Sequence, residues 1–118
     1  MKKRPFALLL TCFLIFSLVA CKSSANISDD FQEIGEDAVK IGEDYLDKYY
    51  TQDEAYEKLG ELNDKIYLIR ELRESSGEEI TDEEQLIDTG VFLLSLSIKN
   101  NDPSSDVKES IKSIKKWI

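Results

Sequence analysis

The chain has 118 residues, a formal net charge of −9, two cysteines and no histidine. Without histidine, Ser-His-Asp and Cys-His catalysis, Glu-x-x-His metal sites and zinc fingers are closed to it. The excess of carboxylates also argues against nucleic acid as a partner, because phosphates demand Lys and Arg.

Lys2, Lys3 and Arg4 form a basic flank, and an apolar run follows from Phe6 to Ala20, broken only by Thr11 and Ser17. At about fifteen residues the run falls short of the roughly 20 needed to span a bilayer. It ends in Leu18-Val19-Ala20-Cys21. These residues resemble the lipobox of bacterial lipoproteins: Leu18 stands three positions before the cysteine, Ala20 is the small residue beside it, and Cys21 follows. The resemblance covers residues 1–21 only. It implies cleavage by signal peptidase II between Ala20 and Cys21, a diacylglyceryl group on the Cys21 sulfur and an acyl chain on its amine. An ordinary secretory signal with a chance cysteine, or an uncleaved anchor helix, is the alternative. Lys22 follows the cysteine, so the aspartate that marks inner-membrane retention in many two-membraned bacteria is absent. The expected location is therefore a lipid-anchored position on the outer face of a single-membrane cell, or in an outer membrane. Two or three acyl chains hold firmly, since each buried CH₂ contributes about 0.8 kcal/mol.

On this reading the chain divides into a signal peptide (1–20), a lipidated cysteine with a short linker (21–27) and a domain (28–118). Losing Lys2, Lys3 and Arg4 takes the formal charge from −9 to −12. Cys12 leaves with the signal and Cys21 is acylated, so no disulfide is possible and packing alone must stabilise the domain. The linker Lys22–Asn26 reaches at most about 17 Å. Residues 22–102 carry 8 basic and 22 acidic side chains, whereas residues 103–118 carry four Lys against Asp106 and Glu109.

Ser28-Asp29-Asp30 reads as a helix start, and Ile27, Phe31, Ile34, Ala38, Ile41 and Tyr45 recur at steps of four and three. Inside this seam lies a repeat, Ile34-Gly35-Glu36-Asp37 followed by Ile41-Gly42-Glu43-Asp44. Gly35 and Gly42 each cost about 1 kcal/mol against Ala in a helix, which predicts a close approach by a neighbouring helix or a partner. Thr51-Gln52-Asp53-Glu54 matches a capping box, and a second seam runs through Ala55, Leu59, Leu62, Ile66 and Ile69, with Leu72 nearby. The heptad count stays in register from Ile34 to Ile69, so one helix over 28–75 is an alternative to the favoured hairpin breaking near Thr51. Ser75-Ser76-Gly77 closes the second helix with a left-handed glycine.

Thr81-Asp82-Glu83-Glu84 is another capping box. Its helix carries Leu86, Ile87, Val91, Phe92, Leu93, Leu94, Leu96 and Ile98 around most of its circumference, which predicts the most buried helix, although Val91–Ile98 also suits a strand. Asn100-Asn101-Asp102-Pro103 reads as a turn, with Asp102 as the cap and Pro103 in the first helical position. Val107, Ile111, Ile114 and Ile118 set the last seam. The expected fold is all-α, a small antiparallel bundle of three to four helices.

Several clusters invite a functional reading. Glu78, Glu79, Asp82, Glu83 and Glu84 lack the ligand spacing of an EF-hand, so no metal and no cofactor is expected. Tyr45, Tyr49, Tyr50, Tyr56 and Tyr67 all fall in the first two helices. Tyrosine is favoured in interface hot spots, which makes Tyr49, Tyr50 and Tyr56 candidates for a partner patch, with the Gly35 and Gly42 face of the first helix as the other candidate. Lys108, Lys112, Lys115 and Lys116 with Trp117 suit either lipid headgroups or plain charge balance. The sequence thus favours a non-enzymatic envelope interaction module, such as an exclusion factor, an assembly chaperone or a host-protein binder. A carboxylate-based hydrolase and a structural homo-oligomer are the alternatives.

Overall fold

The computed structural model describes residues 26–118. The signal stretch, the Ala20–Cys21 cleavage position and the Cys21 lipidation site lie outside the described residues. Four helices follow: α1 (Asp29–Leu46), α2 (Gln52–Ser75), α3 (Asp82–Lys99) and α4 (Ser104–Lys115). Each of the first three begins on an oxygen-bearing cap. The Ser28 hydroxyl accepts from the Phe31 N–H, and Thr51 and Thr81 both close full capping boxes with Glu54 and Glu84.

The same three helices end in one way. Behind α1, Tyr49 N–H donates to Asp44 C=O (2.8 Å) and Lys48 N–H to Tyr45 C=O (3.1 Å), with Lys48 at φ 66°. Gly77 (φ 77°) and Asn101 (φ 54°) sit at the equivalent positions behind α2 and α3. These are Schellman closures with a left-handed residue just past the helix. The heptad register from Ile34 to Ile69 is therefore interrupted at residues 47–51, and the hairpin, rather than one long helix, is what forms.

Asp102 does not cap α4. Its backbone N–H donates to Ser97 C=O at 2.9 Å in the closure of α3. The N-cap position falls on Pro103, whose side chain offers no cap bond, and α4 begins at Ser104.

The helices run up, down, up and down. α2 packs against α1 and α3, α4 packs against α3 and α1, and α1 also touches α3 across the middle. The core is aliphatic. Phe31, Ile34, Ala38 and Val39 meet Ala55, Leu59, Leu62 and Ile66, then Ile87, Val91, Leu94 and Ile98, and finally Val107, Ile111 and Ile114. Val91–Ile98 is helical throughout.

Two seams deviate from expectation. On α1 the buried face includes Gly35, Val39 and Gly42, whereas Ile41 and Tyr45 are only half-buried. On α3, Leu86, Phe92 and Leu93 stand 44%, 53% and 48% exposed, so this helix is not covered all round. A helix in a four-membered ring has neighbours on two sides and across the middle, and its outer arc meets water whatever residues it carries.

Candidate functional site

The two ends of the bundle differ in chemistry. One end gathers the start of α1, the end of α2 and the start of α3 around the carboxylate of Glu84, which is 1% exposed. Glu84 Oε1 accepts from Arg73 Nη1 and from the Thr81 N–H (2.9 Å), while Oε2 accepts from Arg73 Nη2 (2.8 Å) and the Ser28 N–H (3.1 Å). The Arg73 guanidinium also lies over the Phe31 ring, 5.4 Å from its centroid. Burial pushes the Glu84 carboxyl up, but the bidentate arginine and the two backbone donors outweigh it and hold the group at about 2. Arg73 is raised in turn, chiefly by its bonds to Glu84. A general acid needs the opposite shift. Glu84 is a structural joint, ionised at neutral pH.

The linker is fastened at this same end. Thr81 Oγ1 donates to the Asn26 carbonyl (2.5 Å) and Asn26 Nδ2 donates to Glu83 Oε1 (3.2 Å). The acidic residues Glu78, Glu79 and Asp82 surround this end, and among the described residues no group of three potential metal-ligating side chains converges on a point.

The tyrosines divide. Tyr49 is 76% exposed on the α1–α2 reversal and Tyr56 is 39% exposed on the first turns of α2. Tyr50 is half-buried against the core, with Lys58 Nζ 5.0 Å from its ring centroid. Lys99 Nζ lies 5.6 Å from the Tyr56 ring. Gln52 Nε2 donates to the carbonyls of Ile98 (2.9 Å) and Lys99 (2.8 Å), tying the start of α2 to the end of α3 beneath them. These three tyrosines share the end opposite the linker, and Tyr67, 60% exposed, lies well down α2.

Gly35 and Gly42 are buried and are not open to a partner. A Cβ on Gly35 would stand 2.5 Å from Ile118 Cγ2, and one on Gly42 would stand 2.8 Å from Ile111 Cδ1. The approaching neighbour is α4 and its C-terminal extension, so the glycine face is occupied by the chain itself. Gly90 on α3 completes the set, with Ile114 Cγ1 at 2.7 Å from the same position. Trp117 packs at the edge of the core beneath Lys116, and Lys115 pairs with Glu43 at 3.3 Å.

Sequence reasoning missed Glu84 as a joint because its capping role already explained it. It missed Gln52 because a glutamine that opens a helix carries no sign of its distant acceptors. Comparison with family models, with curated proteins and with solved structures finds no match to the chain.

Proposed function

We propose that the chain is a lipid-anchored protein of the bacterial envelope, held through Cys21, whose helical domain works by binding a protein partner rather than by catalysis. The observation that carries the anchor is the residue pattern of the first 21 positions, a basic flank and a fifteen-residue apolar run ending in Leu18-Val19-Ala20-Cys21. The geometry supports a close tether, because Asn26 is bonded to the start of α3 and the residues from Cys21 to Asn26 span at most about 17 Å. The partner patch is the tyrosine end, where Tyr49 and Tyr56 are exposed over a reversal held by the Gln52 bonds.

Both parts are tested on intact cells. Cys21→Ala is expected to abolish labelling by a fatty-acid analogue and to leave a full-length precursor. Normal processing of that variant refutes the anchor. A photo-crosslinking side chain at Tyr49 is expected to give a discrete adduct that the same group at Glu79, at the opposite end, does not. Identical patterns from both positions refute the tyrosine patch.

A further inference from the structure

We infer that the outer face of α3 is a docking surface for a second copy of this chain, with the two α3 helices packed antiparallel about a two-fold axis. At 100° per residue, Gln85, Leu86, Thr89, Phe92, Leu93 and Leu96 fall on one arc of the helix. Leu96 is half-buried and the other five are exposed. In a sequence that is 33% charged, this arc carries no charge at all. Between Glu84 and Lys99 the sole charged residue of α3 is Asp88, and Arg70 of α2 engages it.

The ends of the arc name the occupant. Asp82 opens it and Lys99 closes it; both are exposed, and neither has an ion-pair partner among the described residues. An antiparallel pair centred between Thr89 and Phe92 brings Asp82 of each copy to Lys99 of the other. A parallel pair would instead set acid against acid and lysine against lysine. At a net charge of −9 two copies repel one another overall, and the uncharged arc lets them approach without setting carboxylate against carboxylate.

The area suits a modest affinity. With side chains of this size taken at about 150–250 Å² when fully open, Leu86, Phe92 and Leu93 leave roughly 300 Å² of apolar surface in water on each copy. Doubled and joined by the polar rim, the contact reaches the low end of specific interfaces, about 1,000–1,200 Å² in total.

The inference rests on the fold and not on the anchor. Purified full-length protein in mild detergent, with Cys12 and Cys21 replaced by serine and with or without one added cysteine, is oxidised gently and the covalent dimer measured. Thr89→Cys sits beside the two-fold axis and is expected to crosslink to itself. Gln85→Cys lies five to six residues from the axis, so its two copies stand about 16 Å apart, beyond disulfide reach, and it is expected to stay monomeric. Adding Leu93→Glu to Thr89→Cys buries like charge at the contact and is expected to cut the crosslinked fraction about tenfold or more, with the circular dichroism unchanged because position 93 is exposed. No crosslink above the cysteine-free background for Thr89→Cys overturns the inference. So does equal crosslinking at positions 85 and 89, the signature of parallel pairing or random collision, and so does indifference to Leu93→Glu.

Discussion

Replacing Glu84 by Gln probes the joint that fixes this topology. The variant keeps the volume and one acceptor oxygen but leaves the Arg73 guanidinium, whose side chain is 18% exposed, without its counter-charge. The carboxyl is held at about 2 in the folded chain against an ordinary 4.5. That difference corresponds to about 3 kcal/mol of stability at neutral pH, of the same order as the 3–5 kcal/mol lost when a buried pair is broken. The folded-state value is depressed, so the contribution is complete above pH 4.5 or so and disappears as the pH falls toward 2. Urea unfolding followed by circular dichroism, run on both proteins at half-unit steps from pH 7 to pH 2, measures the gap between them. It is expected near 3 kcal/mol at pH 7 and close to zero at the acid end. Stability of either protein alone also reflects the general relief of carboxylate repulsion on acidification, which the difference removes to first order. A gap that stays constant from pH 7 to pH 3 would refute the reasoning. A double cycle with Arg73→Met and Glu84→Met adds a second check: the pair of substitutions should be at least about 1 kcal/mol less harmful than the sum of the singles, and strict additivity would contradict a paired joint.

Two further predictions concern the backbone. Lys48 holds φ 66° past the end of α1, a conformation that costs a side-chain-bearing residue about 1 kcal/mol. Lys48→Gly is therefore expected to raise the unfolding free energy by about 0.5–1 kcal/mol in thermal or urea melts, and a loss would show that this residue carries another role. A Cβ on Gly60 in α2 meets nothing within 4 Å, whereas one on Gly42 meets Ile111 at 2.8 Å and Leu94 at 3.2 Å. Gly60→Ala should accordingly stabilise by about 1 kcal/mol, and Gly42→Ala should destabilise by roughly 1–3 kcal/mol as α4 is pushed off α1; equal effects at the two positions would mean that α4 is not seated as described.

The helices were legible because their signals are local. Apolar period, two Thr-x-x-Glu boxes and Gly77 together placed three helices and the α1–α2 break. Where the reading failed, the deciding information lay elsewhere in the chain. Nothing about Lys48 announces a left-handed residue; the position is imposed by the reversal. Asp102 looks like a cap, yet the N-cap position falls one residue later, on Pro103. The glycine repeat pointed to a close approach, but only the return of α4 decides that the approaching group is Ile111, Ile114 and Ile118. An apolar circumference on α3 says that the helix belongs to a core without saying which arc the core covers. Tyrosine is as suited to a half-buried edge as to a partner, so Tyr50 and Tyr49 could be told apart only by their neighbours.

The choice between hairpin and continuous helix shows how the Arg73–Glu84 pair acts on topology. The aliphatic seam from Ile34 to Ile69 is compatible with both arrangements, and burial of Leu59 or Ile66 would be rewarded in either if a second chain were at hand. The Thr51–Glu54 box favours the break by about 1 kcal/mol, while the left-handed Lys48 opposes it by a similar amount. These two local preferences nearly cancel. In one helix spanning 28–75, Ser28 and Arg73 would stand about 68 Å apart at 1.5 Å per residue. In the hairpin both donate to the same carboxylate. In the extended arrangement the Arg73 and Thr81 bonds survive, because both donors lie on the α2–α3 side of the break, whereas the Ser28 donor would have to come from a second molecule. The full set of four bonds closes within one chain only when α2 returns to the start of α1. An extended chain on its own would lose the Ser28 bond to the Glu84 carboxylate, and a hydrogen bond to a charged group is worth about 1.5–3 kcal/mol, more than either local preference. Glu84 thus selects the hairpin, and it does so at the end where Asn26 fastens the linker.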